Sequence, residues 1–370
     1  MKPKELIETI LQTVDVKING NRPWDIKVLD DRFYNRVIKQ GTMGLGESYM
    51  DGWWECSALD EMIFRVLKFI DISFLYRNFW ATWGVLKSKI LNLQTKTRGE
   101  KVARRHYNLG NDLYSSFLDP YLQYSCGYFK NTEDLNKAQE QKLDLICKKL
   151  QLKSTDKVLD IGCGWGGFAK YASEHYGCHV TGITISKEQA EYAKTFTENL
   201  NVDIHLMDYR DIKEKYDKVV SVGMFEHVGF KNYRNFFKIV SNNMNENGIF
   251  LLHTIGRNKS ITITDPWFEK YIFPNSMTPS QKQITESYEK IFVMEDWHNF
   301  GQYYDKTLLS WWKNLDASWH KLKDKYGERF YKMFRFYLLS SAGSFRARNI
   351  QLWQIVLSPH GLVGGYKSIR

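Results

Sequence analysis

An apolar run that ends in four glycines is the most chemically suggestive part of this chain: Val158-Leu-Asp-Ile-Gly-Cys-Gly-Trp-Gly-Gly-Phe. Gly162, Gly164 and Gly167 satisfy a G-x-G-x-x-G spacing, in which a ligand lies against the backbone of a strand-to-helix turn that side chains would obstruct. A nicotinamide dinucleotide also requires an acid about 20 residues past the first glycine to hold its ribose hydroxyls. The next apolar run ends Thr181-Gly-Ile-Thr-Ile-Ser-Lys-Glu, with no acid at its tip, so hydride transfer loses ground. Two acids are nonetheless well placed, Asp160 just before the glycines and Asp208 at the tip of the third run. Glu226 and His227 follow a fourth run and His253 lies late in a fifth; these residue types suit general acid or base work. Cys126, in Tyr-Ser-Cys-Gly, reads by itself as a small buried hydrophobe. His175, Cys178 and His179 imitate a metal set, but Gly177 ends a helix between them and makes the side chains diverge, so no metal is expected.

The elements that must position these residues are legible as apolar runs over 157–162, 179–185, 203–208, 218–224 and 249–255, with helical stretches between them. Such alternation predicts an α/β fold with a parallel, doubly wound sheet, completed to seven strands by runs at 291–294 and 352–357. Upstream, Leu6, Ile7, Ile10, Leu11 and Val14 fall at helical spacing, as do Met62, Ile63, Val66, Leu67 and Ile70. Between them, Gly41 to Trp54 is rich in turn residues and aromatic rings and reads as a compact loop or cap. Lys87, Lys89, Lys96, Arg98, Lys101, Arg104 and Arg105 face a single acid, Glu100, which marks a linker. The expected organisation is a smaller, mainly helical lipid-binding domain over 1–86, a basic linker over 87–105 and a catalytic domain over 106–370.

Composition narrows the classes further. With 43% hydrophobic and 25% charged residues, 370 residues can bury a sizeable core. Five scattered cysteines with no C-x-x-C pair favour a reducing cytosol over a disulfide framework. The N-terminal segment has no apolar signal region, and no run is apolar enough to span a bilayer. A formal charge of +10 points to an anionic partner. No basic and aromatic nucleic-acid motif is visible, so a nucleic-acid partner is not expected.

The glycine turn with Asp160 and Asp208 resembles that of class I S-adenosylmethionine-dependent methyltransferases, where the first acid serves the methionine amino group and the second accepts from the adenine amine. More specifically, the chain resembles the cyclopropane fatty acid synthases, a family that includes mycolic acid cyclopropane synthases. The resemblance rests on Ala103-Arg-Arg-His-Tyr-Asn-Leu-Gly-Asn-Asp, Gln123-Tyr-Ser-Cys-Gly-Tyr-Phe, the glycine turn, Ser221-Val-Gly-Met-Phe-Glu-His-Val-Gly, Phe250-Leu-Leu-His-Thr-Ile-Gly and Phe345-Arg-Ala-Arg-Asn-Ile-Gln-Leu-Trp. It implies methyl transfer to the cis double bond of an unsaturated phospholipid acyl chain, with a bound bicarbonate ion as base. The cradle it implies for that ion is Cys126, Glu226, His253, the backbone at Ile255, and Tyr304. Around S-adenosylmethionine it places Tyr124, Ser125, Asp160, Gly162, Gly164, Gly166, Thr184, Gln189, Asp208, Tyr209 and Arg210. Tyr107, Tyr128, Trp165 and Phe225 could shelter positive charge with their ring faces. The chain departs from many relatives at Ser340-Ser341-Ala-Gly, where a cysteine is common, so a covalent cysteine mechanism at that place is impossible here.

The resemblance also implies a cytoplasmic protein held peripherally at the inner, anionic face of the membrane, and leaves a homodimer open. Methylases that leave a methyl branch and small-molecule amine N-methyltransferases are the alternatives within the family, and the retained Cys126, Glu226, His253 and Tyr304 favour ring formation over both.

Overall fold

Five runs separated by helices pair as neighbours; the central ones are mainly apolar on both faces and have to be covered on both, whereas Val202–Leu206, at an edge, leaves Asp203, His205 and Leu206 exposed. In the computed structural model, which describes residues 2–69 and 110–370, they form β1 (Lys157–Ile161), β2 (His179–Thr184), β3 (Val202–Leu206), β4 (Tyr216–Val222) and β5 (Met244–Arg257). With β6 (Val293–Asn299) and β7 (Ile350–Ser358) they make one seven-stranded sheet in the order β3-β2-β1-β4-β5-β7-β6. The pairs among β1 to β5 are parallel; β6 and β7 are antiparallel to each other, an edge that the expectation of a parallel sheet did not include. The expected basic linker and Tyr107 lie outside the described residues.

The chain divides into two compact units, and not at a single point along its length. One unit comprises the described residues up to 69 together with Ile263–Pro274 and Tyr304–Ile350; the other holds 110 to Thr262, Asn275–Tyr303 and Gln351–Arg370. Composition, which drew one boundary near residue 86, gave no sign that two later segments rejoin the first.

The first unit is mainly helical, with Pro3–Gln12, Arg32–Gln40, Thr42–Met50, Leu59–Phe69 and Glu328–Arg346 as its principal helices. Thr42–Met50 is therefore a helix where the turn residues suggested a loop. The reason is packing: Gly46 lies against the Trp267 indole so closely that a Cβ would overlap it. Helix Glu328–Arg346 runs against Leu59–Phe69, where a Cβ on Gly343 would meet the Asp60 carbonyl and Phe64. Arg346 fastens the pair through Asp60 at 2.7 Å and Glu61 at 3.2 Å, and reaches Asp305 at 2.9 Å.

The second unit holds the sheet. One layer of its core comprises Phe225, Phe236, Phe237, Phe250 and Trp353; the other comprises Leu143, Ile146, Phe168, Val180 and Leu251. Helix Leu135–Leu150, which precedes β1, starts where the Asp134 carboxylate accepts from the Lys137 amide at 2.9 Å and ends at Gln151 in a left-handed conformation. No helix among the described residues is long and apolar enough to cross a membrane.

Candidate active site

In an open parallel sheet the strands' carboxyl ends form the edge at which ligands bind, because loops of adjacent strands diverge there. The second unit gathers its chemistry at that edge. β1 leads into Gly162, whose amide donates to the Ile183 carbonyl at 2.9 Å, so the turn is tied to β2. At Gly164 the backbone has φ of +56°, and an added Cβ would find no atom nearer than Gln189 Nε2 at 3.9 Å. Glycine is thus required there by conformation and by an open face over the turn, not by crowding from the protein. Gly167 differs. A Cβ there would overlap the Tyr121 carbonyl, so this glycine lets the following helix press against the segment that carries Gln123 to Cys126.

Asp160 is 2% exposed, and its Oδ2 has no hydrogen-bond partner. Burial raises its carboxyl to about 7, opposed by the charge of Lys142. An unpaired buried carboxylate oxygen is costly, and a bound cationic group at the glycine turn would relieve it. Thr184 and Gln189 sit together at the end of β2, 3.2 Å apart, with Gln189 in the first turn of a helix capped by Ser186. Tyr124 packs edge-on against Tyr114 at 5.3 Å, and Trp165 lies 4.8 Å from Tyr114 while its indole donates to Asn111. Asp208 caps the short turn Tyr209–Asp211 and is clasped on both oxygens by Arg210, at 2.7 and 2.8 Å. It therefore holds Arg210 in place as well as offering its remaining lone pairs to a ligand.

A second group lies where β4 and β5 end. His253 is registered opposite Val222, and Ile255, two residues on, shares its face of the strand. Glu226 Oε1 accepts from the Ile255 amide at 2.7 Å, while Oε2 is buried with no partner. Burial raises this carboxyl to about 7, the Ile255 amide pulling the other way. His253 is 1% exposed; burial, with the charges of Lys142 and Lys149, holds its imidazole well below the usual range, so the ring is neutral. With the Gln354 amide nitrogen facing Nδ1 at 3.2 Å, the ring carries its proton on Nε2, which has no partner. Two buried groups able to give or take a proton are thus left unsatisfied at one strand edge.

The family model for mycolic acid cyclopropane synthetase matches residues 94–355. The chain belongs to that family. It is 50% identical to the cyclopropane-fatty-acyl-phospholipid synthase of Escherichia coli strain K12, over 98% of this chain and 94% of the relative. Among solved structures, the cyclopropane synthase MmaA2 of Mycobacterium tuberculosis superposes with a TM-score of 0.67 at 29% identity, covering 72% of this chain and all of that one. A mycolic acid cyclopropane synthase complexed with SAH and CTAB gives 0.66 at 30% identity, over 70% of this chain and 98% of that one.

Within this cyclopropane synthetase, the cofactor-binding residues named from the sequence all lie in the second unit, as do Cys126, Glu226, His253 and Ile255. Of the Ile255 backbone, assigned to the ion, the amide is engaged by Glu226. Tyr304 belongs to the first unit, where its ring stacks on Phe345 at 4.4 Å. Phe225 is a fully buried core ring, stacked on Tyr233 at 4.2 Å. Asp160 Oδ2 and the open face of Gly164 fit the methionine end of S-adenosylmethionine; Glu226 Oε2 and His253 Nε2 fit a small oxyanion.

Three residues of this synthetase site escaped the sequence reading. Gln354 sets the tautomer of His253, and Gln139 and Lys142 support the segment Gln123 to Cys126 from beneath. The helical stripe 135, 138, 139, 142, 146, 149, 150 would have revealed the last two, because it buries three polar side chains, Gln139, Lys142 and Lys149, among leucine, alanine and isoleucine.

Proposed function

We propose that this chain transfers a methyl group from S-adenosylmethionine to the cis double bond of an unsaturated phospholipid acyl chain and closes it into a cyclopropane ring. The observation that carries this reading is the pairing, at one sheet edge of a cyclopropane synthetase family member, of a glycine cradle having an unpaired Asp160 oxygen with the unsatisfied Glu226 and His253.

When bound, S-adenosylmethionine supplies an electrophilic methyl carbon that the π bond takes up, and ring closure then releases one proton from that carbon. Asp160, Ser125 and the glycine turn hold the methionine end; Thr184, Gln189 and Asp208 stand at the tips of the next two strands for the remainder. The proton has to be received in a site closed to water, where Glu226 and the neutral His253 are placed to orient a base. Bicarbonate is the base the family resemblance implies, and Cys126, Glu226, His253 and the Ile255 backbone would hold it, with Tyr304 as the fifth member. A neutral His253 offers an N–H to such an anion, and a Glu226 carboxyl whose proton persists to about pH 7 offers an O–H.

The acyl chain lies in a bilayer, so the enzyme works from its surface. The formal charge of +10 supports a peripheral seat on the anionic inner face, reached from the cytoplasm. Incubation with labelled S-adenosylmethionine and vesicles of cis-unsaturated phospholipid, followed by mass spectrometry, tests the reading. It predicts label in a ring at the former double bond; a methyl branch, or no lipid product, would overturn it.

A further inference from the structure

Gln139 and Lys142 lie three residues apart on helix Leu135–Leu150, and neither has any exposed surface. Gln139 donates its amide to the Ser125 carbonyl at 2.8 Å, fixing the backbone. The Lys142 ammonium donates to Ser125 Oγ at 3.0 Å and to Gln123 Oε1. An ammonium donates and never accepts, so Ser125 Oγ is the acceptor in that bond and its own hydrogen has to turn elsewhere. Gln123 Oε1, the neighbouring oxygen that could otherwise receive it, is occupied by the same lysine, and Gln123 Nε2 is spent on the Tyr121 carbonyl at 3.0 Å.

A buried ammonium also needs negative charge nearby. Asp119 and Asp160 lie within electrostatic reach of Lys142, and Asp119 is itself engaged by the amides of Tyr121 at 2.9 Å and Gln123 at 2.8 Å. Asp160 is the member of this set with an oxygen left unpaired. Burial brings the ammonium down to about 8, so it keeps its charge at neutral pH.

We infer that Lys142 is a positioning residue for the cofactor's amino-acid end: it orients the Ser125 hydroxyl as a donor to the α-carboxylate and favours the anionic form of Asp160 that pairs with the α-ammonium group. The inference rests on the S-adenosylmethionine reading above. It separates Lys142 from a lysine that merely fills the core, because a core role does not distinguish one half of the ligand from the other.

Calorimetric titration of the full chain with S-adenosylhomocysteine and with methylthioadenosine, which lacks the amino-acid portion, reads the difference. Lys142→Met should weaken the first about tenfold to a hundredfold, the range for losing charge-assisted hydrogen bonds, and the second by no more than about twofold. Ser125→Ala should discriminate in the same sense, and the double variant should be no weaker than the worse single one, since both remove one chain of bonds. Equal losses for both ligands, no loss for the first, or fully additive losses would overturn the inference. Should Lys142→Met fail to fold, Ser125→Ala alone has to show the discrimination, and its absence overturns the inference. A wild-type chain that bound neither ligand would instead overturn the functional reading itself.

Discussion

Replacing Glu226 by glutamine should make the protein more stable in mild alkali and far less active, and the two effects have one cause. The Glu226 carboxyl is 7% exposed, and burial lifts it from an ordinary 4.5 to about 7. Between those values the unfolded chain gives up the proton while the folded one keeps it, so the folded state binds more protons and stability falls as pH rises. The contribution is full below about pH 4.5 and is lost as pH climbs through about 7. At about 1.4 kcal/mol for each tenfold change in proton affinity, the loss reaches roughly 3 kcal/mol, an upper bound for a site that can relax. Glutamine keeps an oxygen for the Ile255 amide, which now meets Oε1 at 2.7 Å, but has no charge to desolvate. Urea unfolding near pH 4 should therefore give matching stabilities, and near pH 8 the variant should gain up to roughly 3 kcal/mol. Methyl transfer to lipid should meanwhile drop about a hundredfold to ten-thousandfold, as expected when a group that positions the base is lost. A stability difference independent of pH, or a variant less stable near pH 8, would refute the burial argument; wild-type turnover would refute the role.

Gly164→Val should abolish binding of S-adenosylhomocysteine in calorimetry, since valine would be strained at φ of +56° and would fill the face over the turn; normal affinity would move the cofactor elsewhere. Gly256→Ala should lower the urea midpoint by an amount equivalent to about 1–3 kcal/mol, because its Cβ would overlap the Trp353 ring; an unchanged midpoint would show that the contact is loose. Anionic vesicles should sediment the protein, with attraction of about 1 kcal/mol per basic residue near the surface, and added salt should release it. Binding indifferent to salt and lipid charge would remove the peripheral seat.

What the sequence disclosed is what neighbouring residues determine. The glycine turn and the runs that became β1 to β5 are local patterns: a stretch of strand covered on both faces is mainly apolar, and backbone at positive φ calls for glycine. The two amphipathic helices near the start, Pro3–Gln12 and Leu59–Phe69, were legible for the same reason. Contacts between distant segments were not. Thr42–Met50 looked like a loop because of its glycines, one of which, Gly46, answers to Trp267, more than two hundred residues away. The orientation of β7 against β6 depends on pairings such as Trp297 with Ile355 that no local signal announces. At the site, residue types named Glu226 and His253, but the unpaired atoms that make them chemically interesting depend on Ile255 and Gln354.

The discontinuity of the first unit also sets a timetable for biosynthesis. Helix Leu59–Phe69 emerges with Leu59, Met62 and Ile63 on the face that will be buried, and the helix that packs on it, Glu328–Arg346, is more than 250 residues downstream. At about 5–20 residues per second that is a wait of roughly 15 seconds to a minute on the ribosome, during which β1 to β5 can pair first, while β7, which joins β6 to them, follows that helix. Helix Leu59–Phe69 thus carries an apolar face without its partner through that interval, and slowed elongation would lengthen the exposure.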